Sequence, residues 1–125
     1  MKNPDLQVAV DARLSEAVEA ARYRTTLNMQ KKNALLKLQR DLTLALNGGT
    51  FTASQELISF LSSLLWAGKT DVVLLDSNDN PIDIADLETF FEKVTDTYYE
   101  AMNEYLVTIK GINKLRTTKA LVGEL

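Results

Sequence analysis

From Asp5 to Leu46 the chain contains neither proline nor glycine. Nothing in its covalent chemistry therefore interrupts a helix of about forty residues, which at 1.5 Å per residue would reach roughly 60 Å. A compact chain of 125 residues has a radius of gyration of only about 14 Å. Such a helix must project, break, or pack on another chain. Val10, Leu14, Ala17, Val18 and Ala21 recur at spacings of three and four, and the pattern returns with Ala34, Leu35, Leu38, Leu42, Ala45 and Leu46. Between the two stripes the segment Arg22 to Asn33 is polar. This is where the helix is expected to break or to lie exposed in an oligomer. Asn47, Gly48 and Gly49 are read as its end.

Beyond the glycines, Thr52 followed by Gln55 has the spacing of a capping box. Leu57, Ile58, Phe60, Leu61, Leu64 and Leu65 then predict a short buried helix up to Trp66, with Gly68 as its stop. The run Asp71-Val-Val-Leu-Leu and the segment Ile82-Asp-Ile after Pro81 flank a cluster of turn formers, which predicts a β-hairpin. A lone hairpin is marginal in water, so its apolar face, read as Val73, Leu75, Ile82 and Ile84, should rest on the helices. Leu87, Phe90, Phe91, Val94, Tyr98, Ala101, Met102, Tyr105, Leu106 and Ile109 give the most regular helical stripe in the chain. Asp83 or Asp86 is placed to cap that helix, and Gly111 ends or weakens it. The tail to Leu125 is expected to carry one further turn or to fray. The fold class is thus mainly α: a long N-terminal helix, a short buried helix, a β-hairpin and a long C-terminal amphipathic helix. One domain spans 1–125, with a long helix over 1–46, projecting or broken near 22–33, and a compact helix–hairpin–helix part over 50–125.

What the chain lacks narrows the chemistry. It has no cysteine and no histidine. Disulfides and nucleophile–histidine pairs are therefore excluded, as are ordinary zinc sites. The remaining candidates are carboxylate, lysine and tyrosine chemistry, and the expectation is a protein that is not an enzyme, with no cofactor. No apolar run approaches the length of about 18 residues that a membrane span needs, and MKNPDLQVAVDARL lacks the apolar core of a signal peptide. No membrane partner is expected.

The stretch LLDSNDNPIDI places Asp76, Asn78 and Asn80 as the first oxygen ligands of a helix–loop–helix calcium site would stand. Counting from Asp76, however, the glycine position is Pro81 and the bidentate glutamate position is Leu87. The loop is read as a turn. Asp83, Asp86, Glu88 and Glu92 could supply a carboxylate pair, but their spacing fits a solvated helix start. Gly48-Gly49 lacks the lysine and hydroxyl residue of a phosphate loop. Trp66, Tyr98, Tyr99 and Tyr105 read as core or core-edge aromatics before they read as a base-stacking platform.

Charge is segregated along the chain. Arg22, Arg24, Lys31, Lys32, Lys37 and Arg40 share the segment from Ala21 to Arg40 with no acid, whereas the ten acids between Asp71 and Glu104 stand against Lys93 alone. A helix-borne basic run can neutralise phosphates, but a pI near 4.9 argues against a dedicated nucleic-acid binder. A protein partner fits better, including the acidic region of a neighbouring copy.

The phrases NGGTFTASQELISFL, TDVVLLDSNDNPIDI and YYEAMNEYLVTIKGINKLR, preceded by RTTLNMQKKNALLKL, resemble small proteins encoded by contractile-tailed phages (myoviruses) of marine cyanobacteria. The likeness covers roughly Arg24 to Leu121. The hairpin followed by an amphipathic helix is also loosely similar to small domains of phage tail-associated and tail-fibre-assembly proteins. The resemblance carries over no functional residues. It implies a phage protein in the host cytoplasm during infection, or in the virion. The function expected is that of a non-enzymatic virion structural or assembly protein, acting by helix-mediated, coiled-coil-like oligomerisation or by binding another phage protein. Val10, Leu14 and Val18 together with Leu35, Leu38, Leu42 and Leu46 would be buried in that contact, and Arg22, Arg24, Lys31, Lys32, Lys37 and Arg40 would set register or partner choice. The alternative is a nucleic-acid-associated regulator that uses the same basic residues.

Overall fold

A computed structural model describes residues 4–115. The order of elements is α1 (Pro4–Asp41), β1 (Thr43–Leu46), β2 (Gly49–Thr52), α2 (Gln55–Trp66), β3 (Val72–Leu75), β4 (Pro81–Ile84) and α3 (Leu87–Lys114). The mainly α architecture with a long helix at each end holds, and the second hairpin stands where it was expected. α1 runs unbroken through the polar segment 22–33.

The expected helix end at Leu46 is corrected by the structure. α1 stops at Asp41, and Thr43–Leu46 is a strand paired antiparallel with Gly49–Thr52, so that Leu44 faces Phe51 and Leu46 faces Gly49. The sequence L-T-L-A-L permits both readings. Leu42, Ala45 and Leu46 fit a helical face, while Leu42, Leu44 and Leu46 fit the period of two of a strand. The turn decides between them. Asn47 and Gly48 both take positive φ, 55° and 84°, the pair of values that a two-residue type I′ hairpin turn requires and that Asn-Gly supplies at least strain. The carbonyl of Leu42 accepts from Ala53 N at 2.8 Å, and Thr43 Oγ1 donates to Gln39 O at 2.9 Å, which closes the helix end.

Two compact units divide the contacts: Leu35–Leu106, and Met1–Ala34 with Val107–Leu125. The first contains the core. Phe51, Ala53, Leu61, Ile84, Leu87, Phe90 and Val94 are buried together, and the Phe51 and Phe90 rings meet edge to face at 5.1 Å between centroids. α2 is capped at Ser54, whose Oγ accepts from Leu57 N at 3.1 Å. Thr52, expected as the cap, is instead the last residue of β2. At the other end Gly68 N donates to Leu65 O and Lys69 N to Leu64 O, with Gly68 at φ 79°. This is the Schellman arrangement that a glycine just past the helix favours.

The second hairpin pairs Val72 with Ile84 and Leu74 with Ile82. Its inward face therefore uses Val72 and Leu74, whereas Val73 and Leu75, expected inside, are 65% exposed. The two hairpins interlock. Gly49 is buried against Ile82, and a Cβ at that position would lie 2.6 Å from Ile82 Cγ1. Asp76, 8% exposed, accepts backbone N–H groups from Asn78 and Asn80 at 2.9 Å and from Thr50 at 3.2 Å, while Ser77 N donates to Thr50 O. α3 starts at the Asp86 cap, which accepts from both Thr89 N and Thr89 Oγ1. Along its exposed side Glu88, Glu92, Asp96, Glu100 and Glu104 form a ladder at intervals of four.

In the second unit, Tyr23, Thr26, Leu27 and Gln30 of α1 are half-buried, and Ala34 is buried. On α3, Ile109 is half-buried and Ile112 is buried; Gly111 does not end the helix. The Tyr23 hydroxyl donates to Leu115 O at 2.9 Å. The tail expected to add a turn or fray lies, beyond Leu115, outside the described residues.

Candidate interaction surface

Helical geometry sorts the candidate residues of α1 onto two faces. At 100° per residue, Tyr23, Leu27, Gln30 and Ala34 share one side, and Leu6, Val10, Leu14, Ala17 and Ala21 fall within an arc of about 80° centred about 130° around the helix from it. The first side is covered within its unit. The second is open, and every residue from Pro4 to Arg22 is exposed. Val10 is 41% exposed, Leu14 59% and Val18 50%. Leu6 adds to this surface and was not among the expected residues, although it continues the stripe by one step of four; Val8, also exposed, lies on a different side of the helix.

The other half of the expected stripe is not available to a partner. Leu38 is buried, Leu42 and Leu46 pack against the core of their own unit, and Leu46 sits on β1 rather than on a helix. Leu35 alone of that group stays open, at 44% exposure. The two expected stripes are thus corrected to one open surface that ends at Ala21, with Leu35 isolated further along.

The basic residues separate in the same way. Arg22, Arg24, Lys31, Lys32 and Arg40 are exposed, and Arg22 lies 4.0 Å from Glu19. Lys37 is engaged inside its unit, donating to Asp41 at 2.8 Å and to Glu104 at 2.7 Å. The hydrogen bond it donates to Asp41, and then that to Glu104, raise its pKa above the ordinary lysine value.

The acids do not converge on an ion. Asp76 faces main-chain N–H groups, and its hydrogen bond from Asn80 N, followed by those from Thr50 and Asn78, holds its carboxyl below the usual range. LLDSNDNPIDI is a hairpin turn. Asp83 and Asp86 line a shallow concavity of about 250 Å³ with Lys93 and Phe90, and the Asp86 carboxylate is occupied by Thr89, whose backbone bond lowers its pKa. Among the described residues, no group of three or more metal-ligating side chains is placed to hold an ion, and no helix is long and apolar enough to cross a membrane. Trp66, expected at the core, is 93% exposed, because it lies on the side of α2 away from Leu61 and Leu64.

No family model, no curated protein and no solved structure matches the chain.

Proposed function

We propose that the protein is a non-enzymatic interaction protein, a structural or assembly factor of a phage particle, that acts by presenting the first five or so turns of α1 to another chain. One observation carries this reading: Pro4 to Arg22 is exposed on every side while bearing the apolar stripe Val10, Leu14 and Val18. Helices in water draw most of their stability from packing an apolar face, and this stretch buries none against the described residues of its own chain. The phage assignment rests on the resemblance of the four sequence phrases quoted above, and with it a place in the host cytoplasm during infection or in the virion.

The test compares the full chain with one lacking Met1 to Ala21. Solution mass is measured by light scattering after size-exclusion chromatography at low and high salt, alongside co-purification with other phage proteins. The expected result is an assembly, or a captured partner, that resists salt and is lost on truncation. If truncation changes neither, the reading is wrong. A second reading draws on the exposure of Arg24, Lys31, Lys32 and Arg40, none of which forms an ion pair among the described residues. A nucleic-acid-associated regulator would retain DNA or RNA at low ionic strength and release it steeply as salt rises.

A further inference from the structure

Resting on the reading of α1 as an interaction helix, we infer that its occupant is a second copy of this chain, paired antiparallel along the first turns of α1 about a two-fold axis between Ser15 and Glu16. Two kinds of complementarity on the exposed surface point to this pairing.

Size comes first. The stripe alternates large residues at one end, Val10 and Leu14, with small ones at the other, Ala17 and Ala21. In an antiparallel pair with that centre, Val10 meets the partner's Ala21 and Leu14 meets the partner's Ala17, and both contacts repeat by symmetry. Large against small at every layer is how facing helices interdigitate at interior packing density. An in-register parallel pair would stack Leu14 on Leu14 and leave Ala17 facing Ala17.

Charge decides in the same direction. Asp11 and Arg22 lie on one flank of the stripe, 20° apart in projection by helical geometry, and Arg13 and Glu16 lie on the other. The antiparallel register brings Asp11 within about 3 Å, along the axis, of the partner's Arg22, and Arg13 within the same axial distance of the partner's Glu16. Flanking pairs of this kind set partner and orientation in helix pairs. A parallel pair would instead set this flank beside the partner's opposite flank, with Asp11 near the partner's Arg13 but Arg22 near the like-charged Arg24 of the partner. Within the chain these groups make only light contacts: Asp11 accepts from Gln7 at 3.0 Å, and Arg22 lies 4.0 Å from Glu19. They are free to turn outward. The overlap runs from Gln7 to Arg24, about 27 Å of helix.

The experiment uses the full chain and measures the dimer dissociation constant by sedimentation equilibrium for four proteins: wild type, Asp11→Lys, Arg22→Glu and the double variant. Asp11 and Arg22 are eleven positions apart and cannot pair on one helix, so a rescue reads an interchain contact. Each single substitution turns two symmetry-related attractions into repulsions and should weaken the dimer about tenfold, while the double variant should return to within about threefold of wild type. Singles that bind as tightly as wild type, or a double variant that stays as weak as the singles, would overturn the antiparallel register. A chain that stays monomeric up to about 1 mM would overturn self-pairing altogether. A monomer whose capture of another phage protein is lost on truncation would leave the interaction function standing without this inference, whereas a dimer that survives truncation would remove both.

Discussion

Replacing Gly49 with alanine tests how closely the two hairpins approach. Gly49 does not need its glycine for backbone freedom, since its φ is not positive. It needs it for space. A Cβ there would lie 2.6 Å from Ile82 Cγ1, 3.0 Å from Ile82 Cδ1 and 3.1 Å from Phe51 Cε2. The first distance is about 0.8 Å short of ordinary contact, well up the repulsive wall for a pair of carbons. Forcing one methyl into a packed site costs about 1–3 kcal/mol, and the upper half of that range applies because Ile82 Cγ1 is held close to its own backbone on β4. Ile82→Ala removes the two closest atoms and leaves Phe51 Cε2 at 3.1 Å, which the space vacated by Ile82 lets shift by a few tenths of an ångström. In that background Gly49→Ala should be neutral, or should stabilise by up to about 1 kcal/mol through the stiffer unfolded chain. Urea denaturation of wild type, both singles and the double then gives a coupling of about 2 kcal/mol in the favourable direction. Additivity of the two substitutions would refute the close approach, and so would a Gly49→Ala protein as stable as wild type.

Ser54→Ala removes the acceptor for Leu57 N and should cost about 1 kcal/mol, whereas Thr52→Ala should cost less; equal losses in thermal melts would count against the Ser54 cap. The carboxyl of Asp76 titrates below its ordinary value near 3.8, chiefly because Asn80 N donates to it. Its contribution is therefore complete above that value and is lost as pH falls through it toward the lower folded value. The fall in stability between neutral pH and pH about 3 should be smaller in Asp76→Asn than in wild type, and an unchanged fall would place the acid sensitivity elsewhere.

The long helices were legible because no other structure suits an unbroken run of helix formers with apolar residues at three and four. The first hairpin was not. Asn47, Gly48 and Gly49 read as a helix stop because Leu42, Ala45 and Leu46 continued the helical count, and nothing local says that Leu44 rather than Ala45 turns inward. The choice is made by Phe51, Ile82 and the rest of the core. For β3 the obstacle is different: Val-Val-Leu-Leu is apolar at all four positions, so alternation cannot choose a face, and pairing with Ile82 and Ile84 does. The interaction surface divides the same way. Spacing identified Val10, Leu14 and Val18, yet it could not tell that stripe, which is open, from Leu38, Leu42 and Leu46, which their own unit covers.

The join made by Asp76 has a consequence for how the chain tolerates change. It holds the main-chain N–H groups of Thr50, Asn78 and Asn80, and a side-chain hydrogen bond from Asn80 adds to them. The side chains of Thr50 and Asn78 take no part in those bonds, so the identities of these two residues can drift while the hairpins stay fastened, provided proline, which lacks the N–H, is not introduced. The vulnerability is concentrated in one carboxylate, and the loop around it is a place where new residues can be tried without unfastening the core.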